Sequence, residues 1–544
     1  MIRNPIIPGF NPDPSLIRVG EDYYIATSSF EWFPGIPIYH SKDLVHWRLI
    51  DYVLRTKKQV DLSNLEPSKG VWAPCLSYCE AEKRYYVLYS NVYRSNSLQF
   101  DVDNFLVWSD SIHGPWSEPV YINSSGFDAS LFHDDDGRKW VVNQERDLRQ
   151  GNQNMRPIIL QEYSSKEQKL IGKPVRLTYG ATKRGFTEGP HLYKHNEYYY
   201  LMTAEGGTGY GHCVALMRAK NITGPYESCP HNPIITSCTQ EFVMQPDTSY
   251  SMPERYNPSE TLQKSGHGSL VNTQNGLWYI AHLCGRPIMP QKRCILGRET
   301  AIQQVEWTSD GWLCMTDGTN IAKEYVPSPY LHPHPFVPEN PRSDFDDTKL
   351  SLHFCTPRNE ITRDWADLSA RPGYLRLRGR ESLISCHEPS LIARRLTAFN
   401  ASVTTKLEFA ADCYQHIAGL TCYYETSNYY TIHKTYCEEC EGNVVEVNGL
   451  VNGKYVGAED AYVVVDKFAP VFLRAKICAE RLQFLYSTDG ETFKELGPVL
   501  DMTNLSDEAC TFGEFTGTFV GIYAQDSHTR EKYADFDYFE YREE

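Results

Sequence analysis

Nothing in the chain approaches the roughly 18 consecutive apolar residues that would suggest a membrane span. The amino terminus, Met1 to Pro8, holds no hydrophobic region of the about 7–15 residues that mark a secreted precursor. A cytoplasmic protein without a membrane partner is the expectation. Basic residues are in deficit: 53 Lys and Arg stand against 69 Asp and Glu, for a formal net charge of −16 over 544 residues. Such a field repels nucleic acid and anionic membrane at long range and favours a neutral or cationic substrate. A regular cysteine framework is missing too, so the 16 cysteines read as reduced, packed thiols. Cys437 and Cys440 form a CxxC, half of a zinc site, but no second CxxC or spaced His pair accompanies them. Long stretches of 3.6-residue periodicity are also absent, which argues against a helical architecture.

What the chain does contain is repetition. A turn, a Leu, a second turn and a run of aromatics recur five times: FNPDPSLI with DYYIATS, WAPCLSY with RYYVLYS, FDASLFHD with KWVVNQE, TEGPHLYK with YYYLMTA, and GHGSLVNT with LWYIAHL. The anchoring leucines are Leu16, Leu76, Leu131, Leu192 and Leu270, in steps of 60, 55, 61 and 78 residues. Such steps exceed solenoid periods and suit four-stranded blades with long loops. The phrases SKDLVHWRLI, SDSIHGPWSEPV and AKNITGPYESC read as the outer parts of blades. Around residues 325–342 the composition changes: Pro327, Pro329, Pro333, Pro335, Pro338 and Pro341 cannot supply ladder hydrogen bonds. Beyond them, alternating segments such as TTKLEFA, YYTIHKTY and YADFDYFEY read as a β-sandwich. The predicted fold is all-β: a five-bladed β-propeller over 1–325, a Pro-rich linker over 326–342 and a β-sandwich over 343–544.

In a propeller the start of each innermost strand faces the central axis. The residue three before each anchoring Leu is Asp13, Ala73, Asp128, Gly189 and His267, with Glu188 one step before Gly189. Three carboxylates and an imidazole therefore converge on one channel, where like charges raise one another's proton affinity. Glycoside hydrolysis needs an acid for the leaving oxygen and a base or nucleophile at the anomeric carbon; a third carboxylate can tune the acid. Singly, Asp13 and Asp128 could cap turns and Glu188 could pair with an Arg. Their recurrence at one inner position favours a site. The 37 Tyr and 10 Trp residues, most of them core, include rings able to serve as sugar platforms.

The phrases NPIIPGFNPDPSLIRVGEDYYIATSSFEWFPGIPIYHSKDL, GVWAPCLSY, GFDASLF, FTEGPHLYK, GHGSLV and LGRETAIQQVEW resemble the family 43 glycoside hydrolases, in particular β-xylosidases with a carboxy-terminal concanavalin-like sandwich. The resemblance implies an inverting, exo-acting enzyme that releases xylose from the non-reducing end of β-1,4-xylo-oligosaccharides. It implies Asp13 as general base, Glu188 as general acid and Asp128 as the residue that raises the acid's pKa and orients it. Arg298, His267, Phe30, Trp72, Ala73 and Thr208 would bind substrate, with Arg286 a second candidate beside Arg298, and Phe515 in FTGTFVG would close the pocket from the sandwich. For Arg298 the alternative is a structural ion pair with Glu299 or another acid, and for Phe515 a place in the sandwich core. No cofactor is implied, Ca²⁺ near His267 being the alternative, and the resembled enzymes are homo-oligomers, tetramers or dimers. Rival readings are an α-L-arabinofuranosidase, a retaining propeller enzyme and a non-catalytic carbohydrate-binding propeller.

Overall fold

The computed structural model describes residues 1–544 apart from 98, 153–155, 240–251 and 512. Five antiparallel sheets follow one another along the chain. The first blade runs Ser15–Val19, Asp22–Ala26, Gly35–Ser41 and Arg48–Leu54 from inside outward. The innermost strands of the other four are Gly70–Cys79, Ser130–His133, Glu188–His195 and Gln263–Asn272. The phrases read as outer parts lead into the outermost strands Arg48–Leu54, Val120–Asn123 and Glu227–Ser228. Among the described residues no helix is long and apolar enough to cross a membrane.

The recurring leucines hold the blades together. Leu76 packs with Tyr24, Ala26, Val87 and Val107 between the first two blades, and Leu131 with Leu88, Leu106 and Val141 in the next seam. Leu192 and Leu270 occupy the third and fourth seams, and Leu16 meets Ile25, Tyr279 and Ile302 where the last blade returns to the first. Side chains alternate across a strand, so Val87 and Leu88 serve opposite seams. Burying each leucine contributes about 2 kcal/mol. The serine before three of these leucines adds a latch. Ser15 bonds both backbone groups of Leu76, Ser130 donates to Pro190 O, and Ser269 accepts the Leu16 N–H at 2.9 Å. That last bond closes the ring, helped by pairing of Ile2–Arg3 with Tyr325–Val326.

Residues 327–341 form no strand. The following domain stacks two sheets around Val403, Leu407, Leu420, Ile432, Phe484 and Ile522. It docks firmly on the propeller: Thr356–Pro357 pairs with Trp32–Phe33, and the Trp32 and Phe519 rings stack with an interplanar angle of 9°. All 16 cysteines are free thiols.

Candidate active site

The five axis residues share a backbone conformation. Asp13, Ala73, Asp128, Gly189 and His267 have φ of 56°, 37°, 55°, 56° and 55°. The left-handed region costs a non-glycine residue roughly 1–2 kcal/mol, so four of these turns are held in place by the surrounding sheets. In the fourth blade the position is glycine because a Cβ there would stand 3.0 Å from the His267 ring. Its acid is accordingly carried by the preceding residue, Glu188.

These turns open into a cavity of about 780 Å³. Nine of the eleven site residues expected from the sequence line it: Asp13, Asp128, Glu188, Arg298, His267, Phe30, Trp72, Thr208 and Phe515. Ala73, also expected to bind substrate, is not among the lining residues and acts through its backbone. Its N–H donates to Ser28 Oγ at 2.7 Å, and Ser28 in turn donates to Asp13 Oδ2 at 2.6 Å. The other oxygen, Oδ1, faces His267 Nδ1 at 3.6 Å and Arg298 Nη1 at 3.8 Å. Both distances are too long for a direct hydrogen bond, which leaves Oδ1 able to accept from another donor.

Glu188 keeps some of its surface open to the cavity yet lies deep in the protein. Burial raises its pKa to about 7, with Arg156 and Arg146 pulling it down and Asp13 pushing it up. Asp128, which accepts the Gly189 N–H at 2.9 Å, is driven well above the carboxylate range by burial and by the charges of Glu188 and Asp13. Both acids therefore hold a proton more tightly than an ordinary carboxyl does. Burial also depresses the nearby imidazoles: it lowers His267, brings His191 to about 3 and holds His212 well below its usual range.

Arg298 is 2% exposed, and its guanidinium lies 5.5 Å from the Phe30 ring and 5.1 Å from that of Phe515. Its Nε has no partner among the described residues. Phe515 is not sandwich core; its ring stacks on Phe30 at 6.0 Å and meets Trp72 edge-on at 5.4 Å. The loop can come this close because Gly297 has φ 73° and lies where a Cβ would stand 2.1 Å from Thr516 O.

The expectations for Arg286 and Glu299 are corrected together. Arg298 and Glu299 are neighbours on the strand Arg298–Trp307 and so face opposite sides of it. Glu299 pairs bidentately with Arg286, at 2.7 and 2.8 Å, and accepts the Gly9 N–H. Arg286 is thereby held away from the cavity. Residues missed in the sequence are Arg146, Arg156, Phe100 and Phe127, all of which line the cavity. The Arg146 guanidinium sits 3.7 Å from the Phe100 ring. Ser28 and its counterpart Ser90, which accepts the Asp128 N–H at 3.0 Å, were also missed, although both end their copies of the repeat, DYYIATS and RYYVLYS. Among the described residues no group of three or more His, Cys, Asp or Glu side chains is placed to hold a metal ion.

A carboxyl whose pKa is raised to about 7, set with a second carboxylate in one cavity lined by aromatic rings, is equipment for acid–base cleavage of a glycoside. The sequence model for Glycosyl hydrolases family 43 matches residues 2–313, and that for the Beta xylosidase C-terminal Concanavalin A-like domain matches 342–542. A Vibrio sp protein described as Xylan 1,3-beta-xylosidase is 42% identical over 100% of this chain and 99% of its own. Xylosidase/arabinosidase 43B of Humicola insolens is 41% identical over 99% of this chain and 97% of its own. The crystal structure of xylan beta-1,4-xylosidase from Bacillus halodurans C-125 superposes with a TM-score of 0.94, at 47% identity and full coverage of both chains. The chain belongs to glycosyl hydrolases family 43.

Proposed function

We propose that the chain is an exo-acting, inverting β-xylosidase that removes xylose from the non-reducing end of β-1,4-xylo-oligosaccharides. Asp13 is the general base and draws a proton from the attacking water through Oδ1. Glu188 is the general acid that protonates the leaving oxygen. Asp128 keeps that acid protonated and, through the Gly189 N–H, fixes the turn that aims it. Arg298, whose Nη1 lies 3.8 Å from Asp13 and whose Nε has no partner among the described residues, binds hydroxyls of the terminal sugar, and the rings of Phe30, Trp72 and Phe515 pack against its faces. The observation that carries this reading is the shared cavity, which brings together Glu188 and Asp128, both of raised proton affinity, and Asp13.

The Phe515 loop closes one side of that cavity, so only a chain end fits and attack within a long polymer is disfavoured. A time course with xylotriose tests this directly. Xylose and xylobiose should appear together and xylobiose should then decline; endo-type products from a longer xylan would contradict the reading. The Humicola relative, a xylosidase/arabinosidase, favours a second activity on α-L-arabinofuranosyl groups. We expect it as a side reaction, and faster turnover of nitrophenyl α-L-arabinofuranoside than of nitrophenyl β-xyloside would reverse that order.

A further inference from the structure

The rings of Phe30, Trp72 and Phe515 come from three separate segments, and one further residue is bonded toward all of them. Ser68 is 1% exposed and sits in a left-handed turn with φ 61°. Its Oγ accepts the Phe515 N–H at 3.1 Å, and its backbone oxygen accepts the Trp72 indole N–H, also at 3.1 Å. Its own N–H donates to Glu31 Oε2 at 3.1 Å, and Glu31 directly follows Phe30 in the chain. Glu31 is in turn fixed from the second domain. It is 2% exposed, and its backbone oxygen accepts the Arg358 N–H at 2.7 Å. The Arg358 guanidinium faces the Glu31 carboxyl at 4.0 Å, while its Nε donates to Leu65 O at 2.5 Å.

These bonds run in a circuit: from Arg358 of the sandwich to Glu31 and Ser68 of the propeller, and back to Phe515 of the sandwich. A hydroxyl oxygen is a directional acceptor at a fixed place, and an N–H deprived of its acceptor away from bulk water is unfavourable. The contact of a ring with a sugar face weakens within a fraction of an ångström. We propose that Ser68 is a positioning residue for substrate binding: its hydroxyl sets where the Phe515 ring closes over the terminal sugar, and Glu31 and Arg358 hold Ser68 in place. The inference rests on the reading that this ring packs against the sugar. It assigns the precision of the pocket to a contact between the two domains that begins in the first blade.

The test is a mutant cycle on the full chain, read as KM and kcat for xylobiose. Ser68→Ala removes the hydroxyl and leaves the backbone bonds to Glu31 and Trp72. It should raise KM about twofold or more, up to the rise caused by Phe515→Ala, with a smaller change in kcat. Added to Phe515→Ala it should raise KM no further, because no ring remains to be placed. Ser68 also lines the cavity, and a direct contact with the sugar, or a merely structural serine, would instead add its own loss to that of the ring. Glu31→Gln keeps an acceptor for the Ser68 N–H but removes the charge facing Arg358. It should likewise raise KM in the wild-type background and not beside Phe515→Ala, and it carries the test should Ser68→Ala fail to fold. A KM raised by Phe515→Ala but not by Ser68→Ala, or losses that add in the double variant, overturns the proposal alone. A KM that Phe515→Ala itself leaves unchanged overturns the reading of the ring and this proposal with it.

Discussion

Arg298 Nη2 donates to the backbone oxygen of Phe515 at 2.9 Å, joining a propeller residue beside Asp13 to a loop of the second domain. The sandwich is therefore part of the active site's wall. Phe515→Ala preserves this backbone bond and deletes only the ring. Loss of one stacking face is worth about 0.5–1.5 kcal/mol, so KM for xylobiose should rise about two- to tenfold with a smaller change in kcat. An unchanged KM would remove the ring from the substrate's path.

Glu188→Gln keeps shape and removes the transferable proton. Hydrolysis of xylobiose, whose sugar leaving group needs protonation, should fall by roughly 10²–10⁴-fold. A dinitrophenyl xyloside departs without that help and should be cleaved at close to the wild-type rate. Equal losses on both substrates would mean that Glu188 does not act as an acid.

The pH dependence follows from the same residue. With Glu188 raised to about 7, kcat/KM should decline as pH climbs through about 7 and the acid loses its proton. Stability carries the same sign. A carboxyl whose folded pKa exceeds its unfolded value contributes stability that is full below the unfolded value and is lost as pH rises through the folded one. Wild type should therefore lose Tm relative to Glu188→Gln between about pH 5 and pH 8, and a constant difference across that range would contradict the assignment.

Arg286→Met separates a structural arginine from a substrate-binding one. It leaves Glu299 buried without its bidentate partner, and breaking such a pair costs about 3 kcal/mol or more. Thermal unfolding should show a clearly lower Tm, while kcat of the folded fraction on nitrophenyl β-xyloside stays near wild type. A selective loss of kcat would return Arg286 to the catalytic site.

The contrast between Arg286 and Arg298 shows how far the residues alone could be read. The axis position three before each leucine was legible because strand geometry repeats it, and all five turns are left-handed. Arg298 and Glu299 looked like a possible pair because they are adjacent; the strand's alternation sends them to opposite faces, which only the known register reveals. Arg146, Arg156 and Phe100 come from outside the repeated phrases, so no period points to them. Ser28 and Ser90 were visible as the shared last letter of two repeats, but the bonds they accept from the Ala73 and Asp128 N–H groups depend on how neighbouring blades approach.

The most direct measurement is proton NMR of the first xylose released from xylobiose, taken before mutarotation. Attack by water activated at Asp13 on the face opposite Glu188 turns a β-linked sugar into the α-anomer, and that is the result expected. Initial appearance of β-xylose would require a covalent intermediate on a nucleophilic carboxylate and would contradict Asp13 as general base and Glu188 as general acid of an inverting enzyme.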